Sequence, residues 1–200
     1  IRVWHTDAES LSVQPIDVPV FAVERKQLGG WTLVLSTRVL DQLHQLRSAK
    51  LPNETGGVLL GDHDFARKTV YVVDMIPSPP DSEEWPTLYI RGSEGLFARV
   101  QEVGRITDGQ LQYVGEWHSH PDNCSCKPSD DDLKVFTWLT ENLGDEGKPA
   151  LMAIAGQGNA SAWFLGEMLR SGGLELRPPT GKSKKRQNRP PHKKVEAGDN

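Results

Sequence analysis

Strand-like and helix-like segments alternate along most of this chain, and that alternation restricts the folds it can adopt. Apolar and β-branched runs typical of strands occupy residues 31–35, 54–61, 69–76, 111–117, 150–155 and 160–165. Helical periodicity occurs at residues 37–49, around 96–103 and at 129–143. Because strands interleaved with helices pack as layers, we predict an α/β fold with a mixed central β-sheet and about three packed helices.

The residues before this alternation have a different character. Residues 1–28 contain Pro15 and Pro19 and a short apolar stretch, so we predict an N-terminal extension that either adds an edge strand or is a linker. The chain begins with Ile1 rather than Met and shows no signal-peptide pattern, so we expect a fragment or a processed product. The folded domain is predicted to span residues 29–178.

Charge is distributed unevenly along the chain. The net charge is -4, yet residues 181–200 hold seven Lys or Arg against two acidic residues, which leaves -9 for the first 180 residues. We predict that residues 179–200 are a basic disordered tail, because they lack apolar periodicity. The acidic body argues against a nucleic-acid partner, since nucleic-acid-binding domains normally carry a basic face.

Cysteine content and hydropathy exclude two further classes of protein. The two cysteines, Cys124 and Cys126, are too few for a disulfide framework and suit a reducing, cytoplasmic location. We favour two ordinary thiols over a second metal site or an oxidation-sensitive pair. No apolar run reaches the roughly 18 residues that a membrane-spanning helix needs, so no membrane partner is expected.

The residues that carry chemistry lie between Gly115 and Asp132. If a strand runs into His118 and His120, its period of two sends both imidazoles to the same side, which suits a zinc site. A carboxylate in the first turn of the next helix can supply a third ligand, and we favour Asp132 over Asp131. Two imidazoles and one carboxylate leave the fourth position to water, as in catalytic zinc sites. Bound zinc lowers the pKa of that water to about 7.

Each part of this pattern also has a structural explanation. A His-x-His pair alone often decorates the end of a strand. Ser129 and Asp132 have the spacing of a helix capping box, in which both side chains satisfy backbone N–H groups. Glu54, taken alone, is a charged residue at the start of a strand, and His63 can assist a site only if its loop approaches. The combination of these residues is more specific than any one of them.

The pair His118-x-His120, followed by Ser129-x-x-Asp132, resembles the JAMM motif of the JAB/MPN metalloprotease family. That family also places a glutamate at the entrance of a glycine-containing apolar strand, and the segment 54–61 is similar to this element. One departure is that eight residues separate the second histidine from the serine, where the family has seven. A loop absorbs an extra residue at little cost.

The resemblance extends over roughly residues 31–166 and implies a cytidine-deaminase-like layering of sheet and helices. It implies one catalytic zinc ion (Zn2+), whose ligands are His118, His120 and Asp132. It also implies that Glu54 is the general base and that Ser129 stabilises the oxyanion.

Members of the family cut the peptide or isopeptide bond after the C-terminal glycine of a ubiquitin-like protein. The segment 115–121 resembles the prokaryotic JAB branch, whose members are often encoded beside or fused to E1-like and E2-like enzymes, including in antiphage systems. The resemblance thus implies a zinc metallopeptidase with ubiquitin-like proteins or conjugates as substrates and E1/E2-like enzymes as partners. Two alternatives are a non-catalytic scaffold of this fold and a zinc hydrolase of small amide or sulfur-carrier adducts.

Overall fold

The computed structural model describes residues 2–6, 9–17 and 20–168 of the chain. The predicted tail at 179–200 and the last ten residues of the predicted domain lie outside them. The helices are α1 (Thr37–Lys50), α2 (Leu96–Ile106) and α3 (Asp130–Asp145). None of them is long and apolar enough to cross a membrane, as far as the described residues extend.

A seven-stranded mixed sheet forms the centre of the described structure. Its strands are β3 (Val23–Leu28), β4 (Trp31–Ser36), β5 (Gly56–Asp64), β6 (Thr69–Pro77), β9 (Gln112–Ser119), β10 (Ala150–Ala155) and β11 (Ser161–Gly166). Their spatial order is β11-β10-β9-β5-β6-β4-β3. The pairs β9–β10 and β4–β6 are parallel, and the remaining neighbours are antiparallel. The α/β fold with a mixed central sheet and three helices is confirmed.

In the described part of the chain, two small hairpins accompany the central sheet, and the sequence analysis anticipated neither of them. One pairs β1 (Arg2–Thr6) with β2 (Val13–Asp17), and the other pairs β7 (Glu83–Trp85) with β8 (Leu88–Ile90). The edge strand β3 pairs with β4. Residues 23–28 of the N-terminal extension therefore belong to the central sheet.

The core lies on both faces of the sheet. Helix α1 contacts β4, β6 and β10, and it buries Val39 and Leu43 with Trp117 in the larger apolar cluster. Helix α3 contacts β10 and β11, and it buries Leu139 and Leu143 in a second cluster. Trp117 on β9 faces α1. Because neighbouring side chains of a strand alternate between faces, the next residue, His118, faces the opposite side of the sheet.

The N-termini of α1 and α3 are capped differently. Ser36 occupies the N-cap position of α1, but its side chain makes no capping hydrogen bond. Ser129 caps α3 in a full capping box, in which its Oγ accepts the Asp132 N–H and the Asp132 side chain accepts the Ser129 N–H. The capping box thus fixes the start of α3 and the position of the Asp132 side chain there.

Candidate metal centre

The start of β5 and the end of β9 lie side by side. The two strands are antiparallel, with Gly56 opposite His118. Beyond that pair, the Thr55 N–H donates to Ser119 Oγ at 3.0 Å, and the Ser119 N–H donates to the Thr55 carbonyl at 2.7 Å. Glu54 is the next residue along the chain, so the register brings it beside the histidines at the end of β9.

Three side chains converge at this place. His118 Nε2 lies 3.0 Å from Asp132 Oδ1, and His120 Nε2 lies 3.4 Å from Asp132 Oδ2. The two Nε2 atoms are 3.3 Å apart. Ligand atoms at the corners of a tetrahedral zinc site, about 2.0–2.1 Å from the ion, are about 3.3 Å from one another. The two imidazoles and the carboxylate are donor types that zinc binds, and the separation of the two nitrogens agrees with this spacing.

Hydrogen bonds outside the cluster orient these side chains. His120 Nδ1 lies 2.7 Å from the Ser125 carbonyl oxygen. A carbonyl only accepts, so this contact assigns the ring proton to Nδ1 and leaves the Nε2 lone pair directed at the cluster. The Ser129 N–H donates to Asp132 Oδ2 at 2.7 Å. The capping box at the start of α3 thus holds the carboxylate towards the imidazoles.

Burial and neighbouring charges alter the acidity of the carboxyl groups. Burial raises the pKa of Glu54, and His118 and His120 offset part of this effect. Burial also acts to raise the pKa of Asp132, but the interactions with the two histidines outweigh it and hold that pKa below its usual range. The site therefore combines a carboxylate that remains ionised with a carboxyl group whose pKa is shifted towards neutrality.

Arg47 is a functional candidate that the sequence analysis missed. Its side chain is buried on α1, where Nε donates to the His120 carbonyl at 2.8 Å and the guanidinium pairs with Asp122 at 2.5 Å. These contacts anchor the turn that follows the second histidine. The available signal was spacing, because Arg47 continues the buried stripe of Val39 and Leu43 at intervals of four residues.

A cavity of about 720 Å³ opens beside the cluster. One wall is β8, whose Leu88 and Ile90 are exposed, and another is α3, which contributes Val135 and Trp138. The middle residue of β8, Tyr89, packs against Gly56, where a Cβ would lie 2.3 Å from the ring. The glycine at the start of β5 therefore allows the hairpin to approach the site closely.

All five site residues from the sequence analysis line this one cavity: Glu54, His118, His120, Ser129 and Asp132. Within the described residues, His118, His120 and Asp132 form the one group of three or more side chains able to hold a metal ion. Cys124 and Cys126 are free thiols outside that group. His63 lies near the far end of β5, with Nε2 3.0 Å from the Pro149 carbonyl, and does not join the site.

Comparison with known proteins gives a consistent family relationship. Residues 36–166 match the family model described as prokaryotic homologs of the JAB domain. A CD-NTase/cGAS isopeptidase of Enterobacter hormaechei is 33% identical over 135 residues, covering 68% of this chain and 73% of the relative. A CD-NTase/cGAS isopeptidase of Escherichia coli is 26% identical over 133 residues, covering 62% and 76%, respectively.

Two solved structures are also similar to parts of the chain. A JAB1/MPN domain protein from Archaeoglobus fulgidus aligns with a TM-score of 0.38 at 19% identity, covering 65% of this chain and 86% of that one. A protein from Desulfitobacterium hafniense, solved in solution, aligns with a TM-score of 0.43 at 17% identity, covering 64% and 79%.

Proposed function

Since the chain belongs to the prokaryotic JAB family and is a hydrolase of the isopeptidase type, we propose that it is a zinc-dependent metallopeptidase. The proposed reaction is hydrolysis of the peptide or isopeptide bond that follows the C-terminal glycine of a ubiquitin-like protein or of a protein with a similar tail. One observation carries this proposal: three side chains whose ligand atoms lie within 4.8 Å of one another converge in the cavity that Glu54 also lines.

The proposed ligands of the zinc ion are His118, His120 and Asp132. The geometry of the three side chains supports this assignment. Two of them are also fixed by hydrogen bonds: His120 donates to the Ser125 carbonyl, and Asp132 accepts the Ser129 N–H. When bound there, zinc would polarise the scissile carbonyl and lower the pKa of a water molecule.

Glu54 is the proposed general base. The residue is only 9% exposed, and burial raises its pKa, which suits a group that must first accept and then release a proton near neutral pH. It would take a proton from the attacking water and pass it to the leaving amine. A reaction of this kind needs no covalent acyl-enzyme.

Ser129 is the proposed donor to the oxyanion. Its Oγ acts as the acceptor in the hydrogen bond from the Asp132 N–H, so the hydroxyl proton is left to donate. A donor aimed at the developing negative charge stabilises the transition state more than the substrate. The capping role of the residue and its proposed catalytic role are therefore compatible.

The cavity walls suit an extended peptide. Within the described residues, β8 pairs only with β7, so its outer edge is available for an added strand. Leu88 and Ile90 on β8, with Val135 and Trp138 on α3, offer apolar contacts to alternate side chains of such a peptide. We propose that the tail of the substrate lies along this edge and ends at the metal centre.

The relatives suggest which tail to test first. Both are named CD-NTase/cGAS isopeptidases, so we propose a CD-NTase joined through its C-terminus to another protein as the first substrate, with a ubiquitin-like protein as the second. Formation of such bonds requires an activating and conjugating system. We therefore propose E1-like and E2-like enzymes as functional partners.

The test is cleavage of both conjugates by zinc-loaded protein, followed by mass spectrometry of the products. We expect a single cut after the terminal glycine, loss of cleavage when the metal is removed with a chelator, and recovery when zinc is restored. Cleavage that is insensitive to the chelator would contradict the proposal. Tight binding without cleavage would indicate a scaffold, and activity on small amides alone would indicate a small-molecule hydrolase.

A further inference from the structure

The β7–β8 hairpin is attached to the rest of the protein at both of its ends. One end is the turn between the two strands. There, at the last residue of β7, the Trp85 carbonyl accepts the Glu54 N–H at 2.9 Å. Glu84 accepts a hydrogen bond from the Thr55 hydroxyl at 2.6 Å and pairs with Lys50 at 2.5 Å. These contacts fix this end of the hairpin to the start of β5, next to the proposed general base.

The other end of the hairpin is held by a partly buried ion pair. Arg91 directly follows β8, and its Nε donates to Glu116 Oε1 at 2.9 Å. The Tyr113 hydroxyl donates to the same oxygen at 2.9 Å. The two charged side chains are 22% and 11% exposed, so water screens them less than it screens a surface pair. Burial, followed by the charge of Glu116, raises the pKa of Tyr113 and keeps its phenol a donor.

Glu116 lies on the strand that also carries a proposed zinc ligand. It is two residues from His118 on β9, so both side chains are on the same face of the sheet. Arg91 and Glu116 both line the main cavity, and Arg91 also lines a second cavity of about 350 Å³ beside α2. The ion pair is thus a direct connection between the β8 wall and the strand of the metal centre.

We propose that Arg91 and Glu116 are positioning residues, which set the register of β8 relative to His118. This inference rests on the proposed function, in which the substrate tail lies along β8. With both ends of the hairpin fixed, a tail paired with β8 arrives with its last glycine at the metal centre. Without the ion pair, the Arg91 end of the wall loses its charged contact with β9, and ordering that end becomes a cost of substrate binding.

The variants Arg91→Met and Glu116→Gln, made singly and together, test this role. We expect KM for a long-tailed conjugate to rise about tenfold in each single variant while kcat stays near the wild-type value. The double variant should be no worse than either single one, because both residues act through one contact. Arg99→Met, at an exposed position of α2, is the matched control and should match the wild type.

Three further measurements separate positioning from a general loss of structure. Zinc content should be unchanged, and KM for a short acyl-glycine amide that does not reach β8 should also be unchanged. Backbone amides of residues 83–90 should exchange hydrogen faster in Arg91→Met, while those of β9 should not. If that variant folds poorly, Arg91→Lys keeps the charge without the planar fork and should give an intermediate KM.

Binding of a peptide ending in Gly-Gly is measured in parallel, so that the inference does not depend on turnover. If the wild type binds the peptide without cleaving any conjugate, and Arg91→Met weakens that binding, the proposed function fails and this inference stands. Equal affinities in the wild type and Arg91→Met would overturn the inference. Absence of peptide binding in the wild type, or equal losses for long and short substrates, would overturn it as well.

Discussion

Histidines are buried at both ends of β5, and the two ends differ in what surrounds them. Beside its start, His118 and His120 are 9% and 8% exposed, and near its end His63 is 8% exposed. The first two face the Asp132 carboxylate. His63 instead lies against the Pro149 carbonyl and the Phe65 ring, and its Nδ1 is buried with no partner in the described part of the chain.

The comparison shows that equally buried histidines can lie in different electrostatic surroundings. At the start of β5, carboxylates and an aligned carbonyl favour a lone pair directed at a cation. At the far end, burial lowers the pKa of His63, an effect that the Pro149 hydrogen bond partly offsets and Lys148 reinforces. The first environment suits a cation, and the second suits a neutral ring that fills space and donates one hydrogen bond.

The largest difference between the two ends of β5 is expected when one histidine at each end is replaced. His118→Ala should weaken zinc binding by more than about 100-fold and abolish cleavage, because a direct ligand matters more than the outer-shell groups whose loss costs 10–100-fold. His63→Ala should retain stoichiometric zinc and activity after correction for the folded fraction. Metal analysis beside the rate assay checks both, and stoichiometric zinc in His118→Ala would show that the ligand assignment is wrong.

Removing the proposed base should separate metal binding from turnover. Glu54→Gln should keep zinc while its rate falls by about 10²- to 10⁴-fold, since an amide cannot accept the proton. Glu83→Gln, an exposed residue of β7, is the control and should retain full activity. Full activity in Glu54→Gln would remove that residue from its proposed role.

Removing the Arg47 contacts that hold the turn after His120 should have a smaller effect on zinc binding. Arg47→Met removes the donor to the His120 carbonyl and leaves Asp122 without its partner, so zinc should bind about tenfold more weakly. The free energy of unfolding should fall by about 1.5–3 kcal/mol, as for other hydrogen bonds to charged groups. Zinc competition and urea unfolding measure the two effects, with the exposed Arg38→Met on the same helix as control. Unchanged zinc affinity would mean that the turn holds its shape without Arg47.

The smallest expected effect is the pH dependence of stability that His63, near the end of β5, produces. Because the pKa of His63 is lowered in the folded state, the unfolded chain binds the proton more readily, and stability falls as pH drops below about 6.5. The difference in unfolding free energy between the wild type and His63→Phe should therefore vary with pH in that range and stay constant above it. A constant difference throughout would show that His63 does not titrate as its surroundings indicate.

Much of the fold and the site follows from spacing that is local in sequence. The period of two in β9 aligned His118 and His120, and the Ser129–Asp132 spacing gave the capping box that presents the carboxylate. The ladders with β5 and β10 carry β9 to Ser119, two residues beyond the predicted end. Strand ends of this kind depend on a partner distant in sequence, which local patterns do not show.

The parts that sequence patterns missed are those that depend on distant contacts. Arg47 acts through a residue 73 positions away, and Arg91 through one 25 positions away. The β7–β8 hairpin has strands of only three residues in a proline-containing segment, too short for a periodic signal. Its position is defined by Tyr89 on Gly56 and by the two end contacts, and none of these leaves a local pattern.

Location of the metal tests the central claim most directly. Crystals of the zinc-loaded protein, measured at the zinc absorption edge, should give one anomalous peak per chain, contacted by His118 Nε2, His120 Nε2 and the Asp132 carboxylate. A peak bound elsewhere, for example at Cys124 and Cys126, with those three side chains free of metal, would contradict it.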